Sequence, residues 1–261
     1  MKRITSRDNP TVKALHALAH SGRERRKQGR TILDGLHLLE AYWSRHGAPE
    51  QLAVSDHGLQ QAEIAAFLDA HPEGSRVALP DVLFEHVSPV VTPTGILALI
   101  DIPHPPPQGR LEGSCVLLDA IQDAGNLGSI LRSAAAAGVQ DVLLGAGCAQ
   151  VWSPRVLRAA MGAHFVLRVH EHGWLPNALA NYGGRIVATV LDAKTSLFDL
   201  DLRGPVAWLF GNEGAGLPSE LAALATDSVC IPMPGEAESL NVAAAAAVCL
   251  FEEVRQKRHH P

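Results

Sequence analysis

The sequence predicts an α/β protein built as two successive α/β domains, and three observations carry that expectation. Short, near-continuously apolar runs alternate with helix-compatible stretches from about Arg30 onward. Strands followed by helices in this way signal a layered α/β architecture, and beyond residue 113 the near-continuously apolar strands are those expected of a mostly parallel sheet covered on both faces. The alternation is interrupted once, by the proline- and glycine-dense segment DIPHPPPQGRLEG at 101–113. Finally, 261 residues with 47% hydrophobic content exceed the usual size of one domain and suffice for two cores.

In chain order, the first half reads as RTILDG (strand), a helix near Leu36–His46, QLAVSD (strand), a helix near Leu59–Ala70, SRVALP (strand), a helix near Val82–Val87 and GILALI (strand). Prolines lack an amide donor and favour an extended spacer, so 105–113 is read as a linker dividing a domain over 1–104 from one over 114–261. The pattern then restarts with SCVLLDA, a helix from about Leu127, DVLLG, a helix near Arg155–Met161, FVLRV, a helix near Leu175–Tyr182, RIVATV, PVAWLFG, a short helix near Ser219–Leu224 and DSVCIPM. A last helix runs from about Leu240 towards Lys257. No repeat of 20 to 50 residues points to a solenoid.

Composition removes several classes. The longest apolar stretch near the C-terminus, Val242 to Phe251, is too short to span a bilayer, and MKRITSRDNP lacks the apolar core of a signal peptide. A cytoplasmic protein without membrane attachment is therefore expected. Cys115, Cys148, Cys230 and Cys249 form no Cys-x-x-Cys pair and read as small buried hydrophobes. The densest histidine group, His164, His170 and His172, has no ligand partner at metal-binding spacing, so no metal is expected.

The net charge of −5 conceals an asymmetry. Residues 1–30 carry nine basic side chains against two acids, +7, which leaves −12 on the other 231 residues. Arg23, Arg25, Arg26 and Lys27 are the densest part of this stretch. It reads either as a basic arm reaching for phosphates or as a solvated, solubilising helix end.

Ligands of open α/β sheets bind where strands end and loops lead into helices, which directs attention to three loops. In DAIQDAGNLGSILRSAAAAGV, at 119–139, Asn126 reads as a helix N-cap, and Leu127, Ile130, Leu131 and Ala134 fall on one buried face. Ser129, Arg132, Ser133 and Ala136 fall opposite. Arg132 is either a phosphate or hydroxyl contact leaning back towards the helix start, or an ordinary exposed arginine. In FGNEGAGLP, at 210–218, Gly211, Gly214 and Gly216 allow close backbone approach and Glu213 supplies one charge, but neither a nucleotide triphosphate loop nor a Gly-x-Gly-x-x-Gly fingerprint is present. GAGCAQ at 145–150 also misses the third glycine, which disfavours a dinucleotide-dependent oxidoreductase. In IPMPGEAESLNVAAAAA, at 231–247, Ser239 reads as the cap of the last helix, whose free first amides would favour an anionic group. Its alanine run reads either as high helix propensity or as a surface for close approach of another backbone.

In this order and spacing the three loops resemble the signature motifs of the SpoU/TrmH branch of the SPOUT class of RNA methyltransferases. N-x-G-x-x-x-R occurs at Asn126 to Arg132, G-N-E-x-x-G-L at Gly211 to Leu217, and I-P-M-x-G-x-x-x-S-L-N-V at Ile231 to Val242. The resemblance covers 114–255, including SPRVLRAAMGAHF at 153–165. Residues 1–104 resemble, less sharply, the small ribosomal-protein L30e-like RNA-binding domain that often precedes such a catalytic domain.

The resemblance implies a C-terminal SPOUT domain with a deep trefoil knot, contrary to the general rule against knots. It implies a homodimer that binds S-adenosylmethionine and methylates a ribose 2′-hydroxyl, in ribosomal RNA rather than transfer RNA. The alternatives are a tRNA 2′-O-methyltransferase and a non-catalytic RNA-binding or ribosome-assembly factor of the same fold. Carried over by position, Thr189, Gly211, Asn212, Ile231, Leu240 and Asn241 would line the cofactor site. Asn126, Arg132, Glu213, Ser239 and Asn241 would form the reactive centre, with Arg23, Arg25, Arg26, Lys27 and Arg132 meeting RNA. Arginine stays protonated near neutrality, so Arg132 is expected to anchor phosphate and stabilise charge developing on the hydroxyl, with proton removal by a transiently neutral guanidinium as the alternative.

Overall fold

The computed structural model describes residues 1–105, 111–171, 175–180 and 182–258. Part of the expected linker (106–110), His172 and Asn181 lie outside the described residues. In chain order the elements are β1 (Lys2–Arg3), α1 (Pro10–His20), α2 (Gly22–Gln28), β2 (Arg30–Asp34), α3 (Leu36–His46), β3 (Gln51–Ser55), α4 (Ala62–Ala70), β4 (Ser75–Leu79), α5 (Asp81–Val87) and β5 (Ile96–Asp101). They continue with β6 (Cys115–Leu118), α6 (Ala124–Ala136), β7 (Asp141–Leu144), α7 (Pro154–Ala160), β8 (Arg168–Glu171), α8 (Leu175–Leu179), β9 (Arg185–Thr189), β10 (Thr195–Ser196), β11 (Val206–Phe210), α9 (Ser219–Ala222), β12 (Asp227–Cys230) and α10 (Val242–Arg258). Among the described residues no helix is long and apolar enough to cross a membrane.

The chain divides into two compact units, one of Met1–Pro103 with Gln150–Phe165, the other of His104–Ala149 with Val166–Pro261. The first unit holds a sheet of order β1-β4-β3-β5-β2. Its β4 runs parallel to β1 and β3, while β5 is antiparallel to both β3 and β2. The basic N-terminus is not a loose arm. Val12, Leu15 and Leu18 fall on one face of α1, are 0%, 1% and 0% exposed, and pack with Ile32, Ala53, Val77, Phe84 and Leu97. Burying three such side chains contributes roughly 5–9 kcal/mol, enough to order the segment.

The segment 150–165 belongs to this same unit and packs on β2 and α3, apart from the α1 cluster. Val151, Val156, Leu157 and Ala160 are fully buried, and the Thr31 hydroxyl donates to the Trp152 carbonyl at 2.7 Å. The sequence reading grouped SPRVLRAAMGAHF with the C-terminal domain, but the chain leaves the second unit after Ala149 and returns at Val166. The strand expected over FVLRV begins only at Arg168, because Ala163–Phe165 form a 3-10 turn within the first unit.

The second unit is a wholly parallel sheet of order β10-β12-β9-β11-β6-β7-β8. Its central strands β6, β7 and β11 are buried along their whole length, which is why they read as continuous apolar runs. On α6, Leu127, Ile130, Leu131 and Ala134 are 0% exposed, the face the periodicity predicted. Helix α10 is anchored by Glu253, whose Oε2 accepts Trp208 Nε1 at 2.6 Å and whose Oε1 accepts Lys257 Nζ at 2.6 Å and the Ser114 hydroxyl. A buried carboxylate with three donors is satisfied rather than stranded. That anchorage fixes the helix that starts at the candidate site.

Candidate active site

At the carboxyl ends of β9, β11 and β12 lies a cavity of about 610 Å³. Its wall includes the turn Gly211–Leu217 after β11, Thr189 to Asp192 after β9, and Ile231, Met233 and Ser239 to Val242 between β12 and α10. The volume lies inside the range of ~300–1,000 Å³ typical of small-molecule sites. All six positions expected around a cofactor, Thr189, Gly211, Asn212, Ile231, Leu240 and Asn241, lie on this wall.

The glycine-rich turn is built from its own backbone. Asn212 and Gly216 exchange two backbone hydrogen bonds, Asn212 N to Gly216 O at 3.0 Å and Gly216 N to Asn212 O at 2.9 Å. A side chain at Gly211 would collide with the backbone of Gly216 and Leu217, so the residue there has to be glycine. The Asn212 side chain is spent inside the turn. Its Oδ1 accepts Gly214 N and Ala215 N, both at 2.9 Å, and its Nδ2 donates to the Ala120 carbonyl at 3.0 Å.

A second feature is a chain of side-chain amides. Asn241 Oδ1 accepts Ala243 N at 2.9 Å, Asn241 Nδ2 donates to Asn126 Oδ1 at 2.9 Å, and Asn126 Nδ2 donates to Glu213 Oε1 at 2.9 Å. This brings Asn126, Glu213 and Asn241 together from three separate loops. Each amide in such a chain polarises the next, and both asparagines are held in one orientation. Glu213 Oε2 is left with no partner among the described residues, and the side chain is exposed at the rim.

Several expectations need correction. Asp123, not Asn126, caps α6, its Oδ1 accepting Asn126 N at 2.8 Å, so Asn126 sits inside the first turn. The apolar periodicity starts only at Leu127 and hides that turn. Asn241, not Ser239, caps α10, and it consumes the Ala243 and Ala244 amides that were expected to receive an anion. Ser239 lines the cavity instead. Arg132 is exposed on α6, makes no hydrogen bond or ion pair among the described residues, and is not part of the cavity wall of its own chain.

Of the cations assigned to RNA, Arg23, Arg26 and Lys27 are exposed, whereas Arg25 is buried. The Arg25 guanidinium donates through Nη1 to Leu18 O at 2.6 Å and Ala19 O at 3.2 Å, and through Nε and Nη2 to Gln150 Oε1 at 2.9 and 2.6 Å. It closes the C-terminus of α1 and is not available to a phosphate.

Leu191, Asp192 and Met233 line the cavity without having been singled out; their place directly after strand ends was the available signal. Among the described lining residues Asp192 and Glu213 are the charged ones, and no lysine, arginine or histidine joins them. The cavity therefore suits a cationic guest with apolar parts. The Cys148 thiol is pushed up to about 11 by burial, with Asp119 and Glu213 acting in the same direction, so it is no thiolate nucleophile near neutrality. The histidines have separate tasks. His164 is buried with Nε2 2.9 Å from the Val151 carbonyl, and His170 faces Asp141 at 3.0 Å.

Residues 113–251 match the model of the SpoU rRNA methylase family, and residues 9–98 match that of the MRM3-like substrate binding domain. The chain belongs to the SpoU rRNA methylase family. It is 37% identical to an uncharacterized tRNA/rRNA methyltransferase of Synechocystis over 97% of this chain and 94% of that one. It is 31% identical to the 23S rRNA (guanosine(2553)-2′-O)-methyltransferase of Bacillus subtilis, over 96% of this chain and 98% of that protein. Among solved structures, the SpoU methyltransferase AviRb of Streptomyces viridochromogenes in complex with AdoMet superposes with a TM-score of 0.85 at 26% identity, covering 96% of this chain and 98% of that one. The AdoMet-bound rRNA methyltransferase of Sinorhizobium meliloti superposes with a TM-score of 0.83 at 29% identity, covering 100% and 98%.

Proposed function

We propose that this SpoU-family chain methylates a ribose 2′-hydroxyl of ribosomal RNA, with S-adenosylmethionine held in the cavity between the Gly211–Leu217 turn and the start of α10. The single observation that carries the reading is the charge and shape of that cavity: two carboxylates, no cation among the described lining residues, and apolar walls from Leu191, Ile231 and Leu240. S-adenosylmethionine carries sulfonium and ammonium charges against one carboxylate, a net positive charge, beside apolar and nucleoside parts, and it supplies an electrophilic methyl group. Asp192 and Glu213 face the cationic groups from the cavity wall. The names of the relatives in Bacillus subtilis and Streptomyces viridochromogenes, both 23S rRNA 2′-O-methyltransferases, support ribosomal RNA as the substrate.

On this reading the chain's work is positioning. Glu213, held by Asn126 through Oε1, offers Oε2 to the 2′-hydroxyl, and Asn241 and Ser239 line the approach. Holding the attacking oxygen in line supplies much of the acceleration in a displacement of this kind. Arg132 anchors the neighbouring phosphate and stabilises charge on the oxygen. Because it is not on its own chain's cavity wall, it acts at the cavity of a second copy, which makes a homodimer part of the proposal. The trefoil knot implied by the motifs belongs to the same reading. Exposed Arg23, Arg26 and Lys27 contribute phosphate contacts in the first unit.

The test is incubation of the purified chain with unmodified ribosomal RNA and labelled S-adenosylmethionine, followed by mapping of 2′-O-methyl positions. Transfer is expected to a single ribose and to be lost or sharply reduced in Arg132→Lys and Glu213→Gln. Label on a base rather than a ribose, or unchanged rates in both variants, refutes the assignment.

A further inference from the structure

The loop after β6 contains a residue in an unusual conformation. Ala120 has φ +52°, in the left-handed region, where a non-glycine side chain crowds its own backbone. Such strain persists only where the surroundings over-determine it. Here they do. Ala120 N donates to Ala146 O at 3.0 Å, and the flanking bonds Gly145 N to Leu118 O and Ala149 N to Ile121 O, both 2.8 Å, zip the loop after β6 to the loop after β7. Gly147, itself at φ +77°, leaves room for Ala120: a side-chain carbon there would lie 3.2 Å from the Ala120 Cβ.

The result is a carbonyl aimed at the wall of the cavity. Ala120 O accepts Asn212 Nδ2 at 3.0 Å, and this fixes which way the Asn212 amide faces. With Nδ2 committed, Oδ1 is turned to Gly214 N and Ala215 N, the bonds that shape the glycine turn. Rotating Ala120 to φ < 0 would swing its carbonyl away and release the amide.

We propose that Ala120 is a positioning residue whose left-handed backbone orients Asn212 and so sets the Gly211–Leu217 wall of the cofactor cavity. The proposal rests on the reading of that cavity as the S-adenosylmethionine site. It assigns work to a residue that does not line the cavity.

The test compares Ala120→Gly, Ala120→Asn and Ala120→Val in the full chain. S-adenosylmethionine affinity is read by calorimetry, fold stability by thermal melting, and the Asn212 side-chain amide by NMR. Glycine and asparagine tolerate the left-handed region and should bind within about twofold of the wild type, whereas β-branched valine should bind roughly tenfold more weakly. The Asn212 amide resonances should match the wild type in the first two and shift in the third. A merely structural role would lower the melting temperature of Ala120→Val without separating affinity from it, and unchanged affinity with an unchanged amide signal overturns the proposal. Should Ala120→Val fail to fold, Gly147→Ala, which presses on the same Cβ, is judged by the same two readouts. If the wild type binds no S-adenosylmethionine, the cavity assignment fails, and the Asn212 signal still decides whether Ala120 holds the turn.

Discussion

Arg25 separates two roles that a basic stretch of sequence merges, and replacing it by Gln measures the difference. The substitution removes a guanidinium that makes four hydrogen bonds, two to the carbonyls of Leu18 and Ala19 and two to Gln150 Oε1. Gln reaches at most one of these acceptors, and buried acceptors left without donors cost about 1–3 kcal/mol each when no water enters. Because the site also loses an unfavourably desolvated charge, the net destabilisation is expected at about 3 kcal/mol, a fall in melting temperature of roughly 10 °C for a unit of this size. Burial, with a smaller contribution from Arg26, already holds the Arg25 guanidinium below its ordinary pKa, in keeping with its interior position. The triple variant Arg23→Gln/Arg26→Gln/Lys27→Gln should behave in the opposite way. It should melt within a degree or two of the wild type, yet the slope of log K against log salt for RNA binding should flatten by up to about 2–3, roughly 0.7–0.9 for each of the three lost phosphate contacts. Differential scanning fluorimetry and filter binding across a salt series read the two quantities. An Arg25→Gln protein that melts normally and flattens the salt slope would refute the interior role assigned to Arg25.

Three further outcomes are expected. His164 is wholly buried and its pKa is lowered to about 4 by burial, against an ordinary value near 6.5. The unfolded chain therefore binds a proton that the folded chain refuses, and stability should fall by on the order of 3 kcal/mol as pH drops from about 6.5 to 4. Denaturant melts of the wild type and His164→Leu across that window should diverge in slope; parallel curves would contradict the assignment. Asn126→Ala breaks the bonds to both Glu213 and Asn241 but removes nothing from the cavity wall, so methyl transfer should slow about tenfold with cofactor affinity unchanged, checked by single-turnover kinetics and titration. Equal loss of both would place Asn126 in cofactor binding instead. A fragment of 104–261 leaves Val151, Trp152, Val156 and Leu157 without the first-unit core that buries them, so it should aggregate on its own and be rescued by co-expression with 1–103. A monomeric, cooperatively melting 104–261 fragment would show that 150–165 does not need that core.

Local chemistry was enough for the elements and for the identity of the site's loops. Strand and helix alternation follows from apolar periodicity, and the parallel sheet of the second unit was legible because strands buried on both faces cannot alternate polar with apolar residues. The sequence reads Gly211, Gly214 and Gly216 together as permitting close backbone approach, and only the folded turn shows that a side chain at Gly211 would meet the Gly216 and Leu217 backbone. What the residues along the chain could not disclose were choices made by competition between distant groups. Asp123 and Asn241 take the caps that Asn126 and Ser239 were equally fit to hold, and only packing decides which oxygen reaches the open amides. Arg25 and Arg26 are adjacent and chemically identical, yet one closes a buried helix end and the other faces solvent, because a helix turns about 100° per residue and the core lies on one side. The left-handed Ala120 and the departure of 150–165 into the first unit have no local signal at all. Both are imposed by long-range contacts whose combined free energy exceeds the intrinsic preference of the residues that obey them.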